Sequence, residues 1–169
     1  MLGVFVAGRY SATIAYPGDT AKSLGIMEEG YNVRWTKSTD LINRTDAYGD
    51  TLIEGFYQGI NMNVSCVAKE WLEAVIDSMQ PFNAWAGTGA DTFDLGTIGR
   101  AETDNAGILV LTATAGTPAA SSPTSMTFTY AIQDDTDVTM LFGPRHRVMP
   151  LNFRIYPYSS SGIKFFSST

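Results

Sequence analysis

The residues able to do chemistry are few and poorly placed to cooperate. His146 is the single histidine and stands between Arg145 and Arg147. Flanking guanidiniums disfavour an imidazolium, and a general base needs a positioned partner within hydrogen-bond reach. No nucleophile-elbow motif accompanies the serines, so His146 reads as a surface or interface residue rather than part of a Ser-His-Asp triad. Asp134, Asp135 and Asp137 resemble the start of a calcium loop, but the central glycine and terminal glutamate of an EF-hand are missing, and a hairpin turn accounts for them. Asp91, Asp94, Glu102 and Asp104 are carboxylates that suit a metal, yet solvation of a loop explains them without one. Cys66 has no second cysteine to pair with and behaves as a small buried hydrophobe. Gly87-Thr88-Gly89 lacks the rest of any phosphate-binding fingerprint. Asn43-Arg44-Thr45 and Asn63-Val64-Ser65 match the glycosylation pattern, which matters only in a eukaryotic secretory setting. Arg145 and Arg147 suit either a DNA phosphate or an ion pair between subunits, and two isolated bases favour the second. The expectation is a protein without catalytic, cofactor or metal residues, and so not an enzyme.

Composition narrows the classes further. Seventeen acids against eleven bases give a net charge of −6. Phosphate affinity comes mostly from Lys and Arg, so a conventional nucleic-acid binder is disfavoured. The lone cysteine asks for no oxidising compartment. The first residues, LGVFVAG, are apolar but short and lack a basic flank, which argues against a signal peptide or a membrane span. A 44% hydrophobic chain of 169 residues suits one domain, 1–169, with a real core.

The elements that must position these residues are organised around 46–79. Tyr48-Gly49-Asp50 is a turn signal, and Leu52 to Tyr57 is rich in β-formers. After Gly59, Ile60, Met62, Val64, Cys66 and Ala68 alternate with Asn61, Asn63, Ser65 and Val67. That period of two predicts a strand with its apolar face inside the subunit. Asn61, Asn63 and Ser65 then face a channel or a neighbouring subunit. Leu72, Val75, Ile76 and Met79 fall at i, i+3, i+4 and i+7 and predict a helix over about residues 69–79, stopped by Pro81.

Elsewhere the pattern is mostly β. Residues 2–7 and 12–16 read as strands around Gly8-Arg9, with a turn at 17–19 and a loop over 19–29. Tyr31, Val33 and Trp35 mark a half-buried strand, and 37–45 reads as a polar connection. Further strands are expected at 108–115, 126–133, 138–142, 151–156 and 162–167. Two stretches resist assignment. Residues 83–107 are rich in glycine and acids, and 116–125 in small residues and proline. Structureless loops this long are uncommon unless functional or hiding short elements. Trp85, Phe93, Leu95 and Ile98 suggest that the first packs against something, on this subunit or another. The fold class that follows is mainly β: a β-sandwich or open barrel of about eight to ten strands with one flanking helix.

The run AYGDTLIEGFYQG, the alternating strand after it and the KEWLEAVI helix resemble bacteriophage tail tube (major tail) proteins and related phage virion proteins. AGILVLTATAGTPAA and VTMLFGPRHRVMPLNFRIYPY look like the second half of such proteins, so the resemblance touches most of residues 31–158. The matching features are structural signatures, not catalytic ones. The resemblance implies subunits that form hexameric rings, rings that stack into a hollow tube, and joined sheets lining a conduit for DNA ejection. It implies partners in the tail (sheath, baseplate or tip, terminator), DNA passing without specific binding, no membrane, and location in the virion after assembly in the host cytoplasm. Trp85, Phe93, Leu95, Ile98, Arg145 and Arg147 become the inter-subunit candidates. An acidic balance suits a lumen that repels phosphate. Two alternatives stand beside this one. The first is a head-tail connector or tail terminator that makes a single ring. The second, of another class, is a carbohydrate-binding or host-recognition β-sandwich with Trp85 and Phe93 as its aromatic platform.

Overall fold

A computed structural model of the chain describes residues 9–44, 51–79, 98–115, 123–134, 141–142, 147–159 and 163–168. In chain order the elements are β1 (Arg9–Ala15), β2 (Lys22–Ser23), β3 (Met27–Arg44), β4 (Thr51–Ala68), α1 (Glu73–Met79), α2 (Glu102–Asn105), β5 (Gly107–Ala115), β6 (Ser125–Gln133), β7 (Leu141–Phe142), β8 (Arg147–Tyr156), β9 (Tyr158–Ser159), β10 (Ile163–Lys164) and β11 (Ser167–Ser168). The expected strands at 2–7 and the turn at 48–50 lie outside the described residues.

The fold is mainly β and antiparallel, consistent with a β-sandwich with a flanking helix. One nine-stranded sheet runs in the order β2-β1-β5-β6-β8-β4-β3, with β11 beside β6 and β7 beside β8, while β9 and β10 pair separately. The sheet curls until β1 approaches β3. The connection between β2 and β3 crosses that gap. Leu24 N–H donates to the Ala12 carbonyl at 3.0 Å, and the Leu24 side chain is fully buried. A leucine thus plugs an opening that no ladder closes.

The core follows from alternation. Met62, Val64, Cys66 and Ala68 of β4 face inward as predicted, opposite Met149, Leu151, Phe153 and Ile155 of β8. Ala12, Ile14, Leu109, Leu111, Phe128 and Ala131 complete the wall. Each large apolar side chain so buried stabilises by about 1.5–3 kcal/mol, gross. Phe166, between β10 and β11, lies against Phe128 with ring centroids 5.8 Å apart. In β6 a register shift opposite residues 107–109 of β5 sets Phe128 and Ala131, three positions apart, on the core face, while Ile132 is buried on the other face, opposite Arg154.

Five expectations need correction. The helix begins at Glu73, not at 69. Lys69 N–H donates to the Ile26 carbonyl at 2.9 Å, and Ile26 N–H donates to Glu70 Oε2 at 3.1 Å. These bonds hold residues 69–70 beside the start of β3, so the first helical bonds run from Val75 and Ile76 to the Leu72 carbonyl. Leu72 is half-buried against the core from outside the helix. Next, 37–45 is no connection: 37–44 is the second half of an 18-residue strand. Leu52 to Tyr57 and Ile60 to Ala68 are likewise one strand, with a register shift at Gly59. Gly59 sits at φ 151°, which glycine accepts readily. Finally, Arg9 lies in β1, and the 19–29 stretch contains β2 and the first residues of β3.

Candidate assembly surface

Asn61, Asn63 and Ser65 lie on the face of β4 turned away from the core. The register sets Arg34 beside Asn63 and Asn32 beside Ser65 on one side, with Arg154 and Asn152 on the other. Asn61 is exposed, whereas Asn63 and Ser65 are half-buried. Asn63 is held within its own subunit, because its side-chain amide donates to Asp134 Oδ2 at 2.8 Å. Asp134 also pairs closely with Arg154. Arg154 lies 3.7 Å from Glu102 of α2, and the Tyr156 hydroxyl donates to that same carboxylate. The hydrogen bond with Tyr156, aided by the nearby acids, raises the guanidinium pKa above its ordinary value.

This network docks α2 onto the outer sheet face, and the sequence reading missed it. Its signal was present but scattered: Glu102, Asp134 and the Arg154-Tyr156 pair of β8 are far apart in the chain, and the β6-β8 register brings the end of β6 beside Arg154. Arg34 and Arg154 stand among the acids of this face, with Arg154 paired to Asp134 and near Glu102. A shallow hollow here is lined by Asn32, Ser65, Val67, Pro150 and Asn152 and stays open to solvent.

The second half of the β3–β4 pair is the other feature that sequence reasoning missed. β8 pairs with β4 only over Met62 to Ala68. Residues 36–44 and 51–61 therefore project as a two-stranded arm, about 25 Å long at the usual rise per residue. The core-side face of the pair continues onto the arm, and there it is bare. Trp35, at the root of the arm, is 64% exposed, and on the arm itself Tyr57 is 58% and Leu41 57% exposed. The opposite face carries Phe56 at 57% and Ile42 at 45%. The apolar pairs Leu41-Ile42 and Phe56-Tyr57, set at matching distances from the 48–50 turn signal, were the available clue.

The remaining candidates divide cleanly. Ile98 is 82% exposed and packs against nothing described in its own chain. Arg147 stands in β8 with its backbone opposite Phe142. Trp85, Phe93, Leu95, Arg145 and His146 lie outside the described residues, as do Asp91, Asp94, Asp135 and Asp137. Cys66 is buried in the core, and burial pushes its thiol up to about 12. Among the described residues no three His, Cys, Asp or Glu side chains gather as a metal site, and no helix is long and apolar enough to cross a membrane. Compared with known family models and with curated proteins, the chain matches none.

Proposed function

We propose that this chain is a self-assembling structural protein of a phage virion, whose subunits form stacked hexameric rings of a tail tube. The observation that carries the reading is the uncovered arm. An isolated two-stranded ribbon is marginal in water, and large apolar side chains are expected to be covered when they lie in one patch. Along its second edge β3 pairs with no strand among the described residues. Long open edges are a liability in a monomer, and edge pairing around a closed ring removes it. In such a tube the DNA in transit meets a lumen without specific contacts, and tail partners cap the ends. The polar face bearing Asn61, Asn63 and Ser65 is then a wall of the channel or a seam between subunits.

The test is electron microscopy of the purified protein with analytical ultracentrifugation. Long hollow tubes are the expected result. Single closed rings would replace the tube with a connector or terminator. A monomer at high concentration that binds glycans would replace assembly with host recognition.

A further inference from the structure

Ile132 is an apolar side chain on the wrong side of the sheet. It stands on the outer, polar face of β6, opposite Arg154 of β8, yet it is fully buried and lies apart from the core cluster. Ala106 is buried apart from that cluster as well. Gly107 of β5 pairs with Ala131 of β6. In an antiparallel ladder the next positions along are then also neighbours, which sets Ala106 beside Ile132. The described element that packs on β6 from this side is α2, which ends immediately before Ala106. A small apolar patch therefore lies on the polar face, with α2 over it.

Little in α2 itself keeps it there. Its four residues bury no side chain, and no side chain caps its N-terminus. One turn of helix is not stable alone. What fastens it is Glu102, which accepts the Tyr156 hydroxyl and lies 3.7 Å from Arg154. Arg154 also pairs with Asp134. Asp134 is tied to the sheet twice more, by the Asn63 amide at 2.8 Å and by its own N–H to the Asn152 carbonyl at 2.7 Å. The Asp134 end of the network thus belongs to the sheet, and Glu102 is the end that can leave. Arg154 and Glu102 are both nearly half-exposed, and ion pairs so solvated contribute little. The fixed end of the segment is Gly107, where an added methyl would meet the Ile14 side chain at 2.9 Å. We propose that residues 98–106 form a latch that Glu102 closes over Ile132, and that opens while the sheet beneath stays folded. Closed, the face presents Asn61, Asn63 and Ser65 beside a paired arginine. Open, it adds an aliphatic patch, a free Tyr156 hydroxyl and a guanidinium with one acid fewer. The latch belongs to the single subunit, whether or not copies assemble.

The experiment times thiol labelling of free subunits by Ellman's reagent, with Ile132→Cys as the reporter under the latch. Cys66, buried in the core, is the internal clock for opening of the whole fold. Ala106→Cys is a second reporter of the same patch and carries the test if Ile132→Cys does not fold. Adding Glu102→Gln should speed labelling of the reporter roughly tenfold, as expected for weakening a hydrogen bond to a charged group, and Tyr156→Phe should speed it by a smaller factor. The Cys66 rate should not move. Asp104→Asn, on the same turn but outside the network, should leave the reporter rate unchanged. If Cys66 accelerates in step with the reporter, the sheet opens as a whole and the latch is overturned. It is overturned equally if Glu102→Gln leaves the reporter rate at its parent value, or if Asp104→Asn acts as strongly as Glu102→Gln.

Discussion

Val33 facing Val64 and Tyr31 facing Cys66 belong to the first half of the β3–β4 pair; Thr39 facing Tyr57 and Asp40 facing Phe56 belong to its second. Both halves use apolar, aromatic and short polar residues, alternating in the first half and set as adjacent apolar pairs, Leu41-Ile42 and Phe56-Tyr57, in the second. In the first half β8 lies alongside, α1 contributes Val75 and Met79 to the same core, and Val64 is fully buried. In the second half nothing described in the chain covers either face. The difference teaches that alternation assigns residues to faces, whereas burial is decided by what arrives from elsewhere in the chain or from another molecule.

The sharpest way to break this contrast is to place a charge in each half. Val64→Asp puts a carboxylate where there is no water and no partner, a change that costs several kcal/mol. It is expected to abolish folding, read as loss of a cooperative thermal transition. Tyr57→Glu in the second half should leave the free subunit's stability within about 0.5 kcal/mol of the parent, as for surface changes generally. Equal losses at both sites would show that the arm is folded against its own body.

Truncation gives the next largest effect. Ile76 is 4% exposed in α1, and Ile76→Ala should cost about 2–5 kcal/mol, the range for removing core aliphatic side chains. Ile42→Ala on the arm should cost less than about 1 kcal/mol, because most of its transfer energy is never gained in the free subunit. Urea denaturation of unassembled protein measures both. Comparable values would erase the distinction between the halves.

Much of the covered half was legible in sequence, and the reasons are local. The alternation through Met62, Val64, Cys66 and Ala68 states its own face, as does that of Leu151, Phe153 and Ile155 in β8. The stripe of Val75, Ile76 and Met79 gave the helix. Its start was misplaced because residues 69–70 are captured by Ile26, more than forty positions earlier, and no helical periodicity encodes that partner. The 37–44 half of β3 went unseen because solvent stands on both sides of it. A two-sided exposed strand has no core face to write an apolar–polar rhythm. The Asp134–Arg154–Glu102 network was hidden for another reason: charged residues far apart in a chain announce no pairing until strand register brings them together.

Two glycines extend the comparison at smaller magnitude. Gly25 has φ 75°, and a methyl group there would collide with the Glu70 carboxylate and the Leu72 side chain. Gly25→Ala should therefore add a collision to backbone strain, destabilising by more than about 2 kcal/mol and displacing the Glu70 bond to Ile26. Gly59 has a positive φ but open space around it, so Gly59→Ala should carry the backbone term alone, about 1–2 kcal/mol. Thermal unfolding of the two variants ranks them, and a reversed order would mean that the arm's bulge is packed more tightly than the β2–β3 turn.

The smallest expected effect concerns a lysine in each region and depends on pH. Lys22 lies 2.8 Å from Glu73, 3.6 Å from Asp77 and 3.9 Å from Asp19, tying β2 to α1. Its pKa is raised, chiefly by the hydrogen bond to Glu73. A cation whose folded pKa is raised contributes stability that is complete below its unfolded value of 10.5 and lost as pH climbs past it. Asp77 is also raised, first by burial, from 3.8. Its protonated form is therefore favoured in the fold, and the stability this brings is present below 3.8 and lost as pH rises through the folded value. Ionised Asp77 then relies on Lys22. Lys22→Ala should destabilise by about 1 kcal/mol at neutral pH, a modest figure because these groups are partly solvated. The difference from the parent should shrink in acid, as Asp77 takes up its proton, and again above pH 10.5, where the parent loses its own ammonium. Lys37→Ala on the arm removes only a distant approach to the Tyr57 ring and should shift stability by less than about 0.5 kcal/mol. Denaturation curves at pH 3.5, 7 and 11 decide the matter: a constant Lys22→Ala difference across that span would show that its methylenes, not its charge, hold β2 to the helix.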